Sequence, residues 1–122
     1  DGRGELRVEG AGPAYRAETR PRAEAGDLPF DDANRAQVDA DKIAFPLVVR
    51  ARKDGDRYQP LGAPGRKKLK EILRARRVPL AERDRLPVFI SDGKIVWVPG
   101  LPVADAFKIT AATKRILILC QA

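Results

Sequence analysis

Polar and apolar residues alternate in the N-terminal part of the chain, give way to a helical period in the middle, and end in a continuous apolar run. Glu5-Leu6-Arg7-Val8-Glu9 has the two-residue period of a half-buried strand. Gly10, Gly12 and Pro13 break it. Ala14 to Arg20 alternates more weakly and is expected to pair with the first segment as a hairpin. Arg20 to Asn34, with Pro21, Gly26, Pro29 and mixed charges, reads as a loop. Val38 to Ile43 predicts a short edge strand leading into Phe45-Pro46. In the strand from Leu47 to Arg52, Leu47, Val49 and Ala51 share a core face, and Val48, Arg50 and Arg52 share the other.

Lys53-Asp54-Gly55-Asp56 predicts a turn, because Asp-Gly tolerates positive φ. Arg57 to Pro60 is a short return segment, and Leu61 to Gly65 a second turn. A helix is expected from about Arg66 to Ala75, with Leu69, Ile72 and Leu73 as its core face. On a helical wheel, Arg66, Lys67, Lys70, Arg74 and Arg77 fall within about one 100° arc beside that face. Arg76 falls inside the apolar arc, so either the helix ends before it or its side chain snorkels. Val78-Pro79 favours an ending, since the residue before proline avoids helical angles. Leu80 to Arg85 is expected to be a second short helix. Pro87 to Ser91 and Lys94 to Val98 flank Asp92-Gly93, a strong hairpin signal. Asp105 to Thr110 reads as an irregular connection or edge strand. Lys114 to Leu119, continuous in Ile and Leu, reads as a central strand. The order is strands, helical hairpin, strands. It predicts an α+β, β-rich domain of short, mostly antiparallel strands with an inserted helical hairpin.

Charge changes this picture most. Arg50 to Arg85 holds thirteen Lys or Arg and five Asp or Glu, a net of +8, while the whole chain of 122 residues is +7. Such a surplus suits a polyanion. The chain has no His, which removes histidine general-base chemistry and most zinc sites. Its one cysteine, Cys120, can form no disulfide framework and reads as an inert buried thiol. No apolar run is long enough for a membrane span, and a cytoplasmic setting is expected. The chain contains no Met even at position 1, so it reads as part of something longer.

The basic stretch is therefore expected to contact nucleic-acid phosphates, with Gly62, Gly65 and the helix start offering backbone N–H groups. A merely solvated face is the competing reading, but five acids cannot balance thirteen bases. Gly62 to Lys68 is not a nucleotide-binding P-loop, because Lys67 is followed by Lys68 and not by Ser or Thr. Arg57 could be free for a ligand or clamped by Asp56. Tyr58 is read as core rather than as a stacking platform, and Trp97 as core or interdomain packing. Asp39 and Asp41 are read as solvated loop carboxylates rather than a cation site. No residue is assigned a catalytic or metal-binding role. Two other readings stand beside nucleic-acid recognition. One is a structural module packing on other domains through Trp97, Leu101, Pro102 and Val103; the other is a general RNA- or DNA-binding piece.

A set of blocks carries a resemblance: Arg50 to Gly62, with its Gly55-Asp56-Arg57 turn; Gly65 to Lys70; Val78-Pro79; Glu82 to Val88; and Ile95 to Gly100. In that order and spacing they resemble the C-terminal domain of bacterial tRNA(Ile)-lysidine synthetase, over roughly Val38 to Leu119. Residues 38–122 would be that domain, and residues 1–37 stay unassigned. The resemblance implies a fold similar to a β-rich domain of the phenylalanyl-tRNA synthetase β subunit. It implies a parent ligase that uses ATP, with Mg, to attach lysine to the wobble cytidine of an isoleucine tRNA with a CAU anticodon. That chemistry would lie in an N-terminal catalytic domain bearing a Ser-Gly-Gly-x-Asp-Ser loop. This chain itself would need no cofactor. It would bind the tRNA body and partner its own catalytic domain, in a possible homodimer. Arg50, Arg52, Lys67, Lys68, Lys70, Arg83 and Arg85 occupy the family's basic positions. Arg66 and Arg74 join them as expected tRNA-binding residues on the predicted helix. This chain departs from the family at Arg74-Ala75-Arg76, where relatives often carry an acid, and at Leu80, where a basic residue is common.

Overall fold

A computed structural model describes residues 6–8, 15–22 and 35–121. In chain order its strands are β1 (Leu6–Val8), β2 (Tyr15–Pro21), β3 (Arg35–Asp39), β4 (Leu47–Ala51), β5 (Arg57–Tyr58), β6 (Lys67–Lys68), β7 (Pro87–Ser91), β8 (Lys94–Trp97) and β9 (Arg115–Gln121). Helices α1 (Leu69–Ala75) and α2 (Leu80–Arg83) lie between β6 and β7. Short 3-10 turns cover Ala40–Lys42 and Asp105–Phe107. One sheet has the order β1-β4-β7-β8, parallel only between β1 and β4. A second, antiparallel sheet has the order β2-β9-β3, and β5-β6 form a small ribbon. The architecture is thus β-rich and mostly antiparallel with a small inserted helical portion, as the pattern predicts.

The apolar run of β9 takes the central position expected of it, since only a strand paired on both sides and covered on both faces tolerates continuous Ile and Leu. Leu117 and Leu119 point into the main core, while Ile116 and Ile118 form a second cluster with Ile109 on the other face. The main core joins both sheets. Ala36, Val38, Leu117 and Leu119 from the three-stranded sheet pack in one cluster with Leu47, Val49, Phe89 and Trp97 from the four-stranded one. Tyr15 of β2 stands edge-on to Phe89 and Trp97 of the opposite sheet, with ring centroids 5.2 and 6.2 Å apart. Burial pushes the Tyr15 phenol above its ordinary pKa.

The expected pairing of the first two segments does not form. Residues 6–8 pair with Leu47–Val49, and Tyr15–Pro21 pairs with β9 in the other sheet. Alternation specifies a strand and its buried face but not its partner. The expected loop from Arg20 to Asn34 falls mainly on residues outside those described. The edge strand lies at Arg35–Asp39, and the chain then tightens into the 3-10 turn at Ala40–Lys42. Asp39 and Asp41 are not both solvated. Asp39 is buried and accepts hydrogen bonds from the Asp41 N–H and the Thr113 hydroxyl, each at 2.9 Å. Asp41 accepts from the Lys114 N–H at 2.8 Å, so the two carboxylates tie this turn to the entry of β9. The peptide bond Phe45-Pro46 is cis. The β7–β8 hairpin turns at Asp92-Gly93 with φ of 47° and 76°, the positive angles that an Asp-Gly turn supplies.

Helix α1 starts at Leu69, three residues later than the period alone suggests. Lys67 and Lys68 are drawn into the ribbon opposite Tyr58 and Arg57, and the Leu69 N–H bonds the Asp56 carbonyl at 2.8 Å. Burial of Tyr58 holds that ribbon over the core. Leu69, Ile72 and Leu73 form the buried face, as expected. Arg76 is the C-cap, so the helix does end there, and its guanidinium bonds the Gly100 carbonyl at 3.2 Å. Among the described residues no helix is long and apolar enough to cross a membrane.

Candidate nucleic-acid interface

The basic stretch wraps the ribbon, α1 and the end of β4, and its members divide into clamped and free groups. Arg50 is clamped. Its guanidinium makes a two-pronged pair with the Asp56 carboxylate at 2.9 and 3.0 Å and also bonds the Ala51 carbonyl at 2.9 Å. The two side chains are 15% and 10% exposed. Asp56 also accepts the Lys53 N–H at 2.9 Å, closing the turn in which Gly55 adopts φ of 88°. Burial acts to raise the Asp56 pKa. The hydrogen bonds from Arg50 and Lys53, with both positive charges, outweigh it and hold this carboxyl below its ordinary value. Asp56 therefore holds Arg50, not Arg57. Arg57 is exposed and has no ion-pair partner among the described residues.

Arg52 reaches Asp84, the C-cap of α2, at 2.9 Å, and fastens the end of β4 to the helical hairpin. Its Nε is buried without a partner. Arg83 donates from Nε to the Val78 carbonyl at 2.8 Å, which closes the link between the two helices. Arg66, Lys67, Lys68, Lys70, Arg74 and Arg85 are exposed, and among the described residues no side-chain hydrogen bond or ion pair engages them. The expected helical arc is broken by the later helix start. Only Lys70 and Arg74 are on α1; Arg66 and Lys67 precede it and Arg77 follows it. Gly62 and Gly65 lie in the loop that joins the two strands of the ribbon, so neither is at the start of α1.

The free and clamped groups meet at a cleft of about 200 Å³. Arg52, Lys53, Lys68 and Lys70 line it together with the turn residues Asp54, Gly55 and Asp56. The sequence reading missed Lys53, although its place in an Asp-Gly turn beside Arg52 marks it as surface. Across the ribbon, Arg57 is the register partner of Lys68 and borders a second cavity of about 330 Å³ with Arg66 and Lys94. Lys94 lies far along the sequence in a hairpin, and no local signal joins it to this surface.

Tyr58 is core, as expected. It is buried, its hydroxyl donates to the Pro102 carbonyl at 2.9 Å, and burial raises its pKa far above the usual phenol value against the nearby charge of Arg76. Trp97 is buried with Nε1 donating to the Leu101 carbonyl at 3.0 Å. Leu101 is also buried, so of the surface suggested for interdomain packing Pro102 and Val103 are the half-buried members and Trp97 and Leu101 are interior. Cys120 is half-buried, more open than its apolar strand suggests, because it faces away from the main core. Among the described residues no group of His, Cys, Asp or Glu could hold a metal ion.

A β-rich, mostly antiparallel fold carrying this basic ribbon and helix defines a small basic α+β domain, and comparison with known proteins gives its family. The family model "TilS substrate C-terminal domain" matches residues 47–120, and the chain belongs to that family. It is similar to the tRNA(Ile)-lysidine synthase of Caldanaerobacter subterraneus subsp. tengcongensis, 40% identical over 73% of this chain and 20% of that protein. It is 38% identical to the enzyme of the same name from Symbiobacterium thermophilum, over 91% of this chain and 23% of that protein. The chain thus spans about a fifth of the length of these curated relatives. The crystal structure of a TilS C-terminal domain superposes with a TM-score of 0.69 at 34% identity, covering 98% of this chain and 95% of that one. An N-terminal fragment of the phenylalanyl-tRNA synthetase β subunit from Pyrococcus horikoshii shares the fold, with a TM-score of 0.60 at 24% identity over 70% of this chain and 27% of that one.

Proposed function

We propose that this chain is the tRNA-binding part of a tRNA(Ile)-lysidine synthase, and that it holds the tRNA body so that a catalytic part can modify the wobble cytidine. The observation that carries this reading is the group of exposed cations, unpaired among the described residues, on the ribbon and α1 beside the Arg52–Lys70 cleft. Unpaired lysines on a rigid ribbon lose little on binding a phosphate and release condensed counterions when they do. Lys67, Lys68 and Lys70 would make the main contacts. Arg66, Arg74 and Arg85 would extend them. Arg50, Arg52 and Arg83 would shape the surface through their internal bonds, with Arg52 also facing the cleft. A-form RNA hides its major groove, so recognition here would follow the backbone shape more than base edges. ATP, with Mg, would serve the catalytic part of the longer enzyme. The isoleucine tRNA with its CAU anticodon would be the shared substrate.

The double substitution Lys68→Glu with Lys70→Glu tests this directly. A filter-binding or mobility-shift titration is expected to show tRNA affinity lowered by roughly tenfold or more, from removal of contacts and added repulsion. Melting is expected to be nearly unchanged, because both side chains are exposed. Unaltered tRNA affinity in a folded variant would refute the assignment.

A further inference from the structure

The cavity beside Arg57 has a different chemistry from the cleft lined by Lys68 and Lys70. Its volume is about 330 Å³, at the small end of the ~300–1,000 Å³ typical of small-molecule sites. Its rim carries Arg57, Arg66 and Lys94, all exposed and, among the described residues, without ion-pair partners. Among the described residues no carboxylate lines it. Its walls include the apolar side chains of Ile95, Ala106 and Phe107. Gln59 also lines it; the Gln59 amide nitrogen donates to the Ala63 carbonyl at 2.8 Å, which fixes the side chain and leaves its Oε1 without a partner among the described residues. A cationic rim over an apolar floor, with one fixed hydrogen-bond acceptor, matches a phosphate joined to a flat heteroaromatic ring. The cavity adjoins the cleft, because Arg57 and Lys68 are opposite one another across β5 and β6. Directly opposed residues of such a ribbon have Cβ atoms only about 5 Å apart.

We propose that this cavity takes one unpaired nucleotide of the bound RNA. Arg57, Arg66 and Lys94 hold its phosphate, and the base lies against Ile95, Ala106 and Phe107 with an amino group toward Gln59. The proposal rests on the RNA-binding reading above and adds a base-dependent contact to a surface otherwise blind to bases. Unpaired bases are the parts of RNA that apolar pockets recognise, whereas a duplex keeps its bases stacked.

The test is a titration of this chain with a short single-stranded RNA and with an abasic strand of the same length, so that phosphate number is constant. The base-bearing strand is expected to bind at least about fivefold tighter. Ala106→Leu, which fills the cavity from an exposed position, is expected to remove that preference and leave the abasic strand's affinity unchanged. Equal binding of the two strands by the unaltered chain overturns the nucleotide pocket and leaves backbone recognition standing. A base preference that survives Ala106→Leu places the contact elsewhere and also overturns it. If neither strand nor tRNA binds, the RNA-binding reading falls and the pocket falls with it.

Discussion

Arg50 and Lys70 belong to one basic stretch, yet a carboxylate grips the first and solvent surrounds the second. Type and position in sequence show that both are basic; they do not show which one an acid will claim. Asp56 could have held its neighbour Arg57. The strand period instead puts Arg50 on the non-core face of β4 where the turn folds back, and the fork geometry of guanidinium and carboxylate completes the pair. Arg50→Ala leaves a nearly buried carboxylate without its cation, and a loss of about 3 kcal/mol is expected in urea unfolding. The pair also has a pH signature. The Asp56 pKa is lower in the folded chain than its ordinary 3.8, so its contribution is complete above that value and disappears as pH falls through the folded pKa. The gap in urea midpoint between the unaltered chain and Asp56→Asn is therefore expected to be full at neutral pH and to narrow in acid below that ordinary value. A gap that stays constant into acid would assign the stability to something other than the ion pair.

At the scale of elements, the Leu69, Ile72 and Leu73 period fixes α1, and the stop at Arg76 was legible from Val78-Pro79. The start was not. Seven residues make too short a helix to persist by propensity alone, so tertiary packing decides which residues join it. The ribbon with β5 took Lys67 and Lys68, and a non-local pairing of this kind leaves no trace in a helical wheel. The helix end stores a small strain. Arg77 has φ of 57°, its N–H bonds the Arg74 carbonyl, and the Val78 N–H bonds the Leu73 carbonyl, each at 3.0 Å. This left-handed stop favours glycine. Arg77→Gly is expected to raise stability by about 1 kcal/mol, read as a higher melting temperature. A lower melting temperature would mean that the arginine side chain contributes more than its backbone conformation costs.

Across the whole molecule, alternation and the continuous β9 run reveal the strands, and the Asp92-Gly93 hairpin is fully legible. Partner choice is not. β1 joins β4 in parallel and β2 crosses to β9, because a strand pattern names a buried face and leaves the opposite sheet to decide the pairing. The Tyr15, Phe89 and Trp97 contact that joins the sheets is assembled from three distant segments. The basic surface was legible as charge but not as geometry: Lys94 reaches it only through the fold. What would unify that surface is the phosphate backbone of the RNA proposed to bind it. The most direct measurement is a titration of this chain with tRNA over a series of salt concentrations. With about five phosphates engaged, the plot of log affinity against log salt is expected to fall with a slope of roughly −3.5 to −4.5. A slope near zero, or no binding at low salt, would contradict the account.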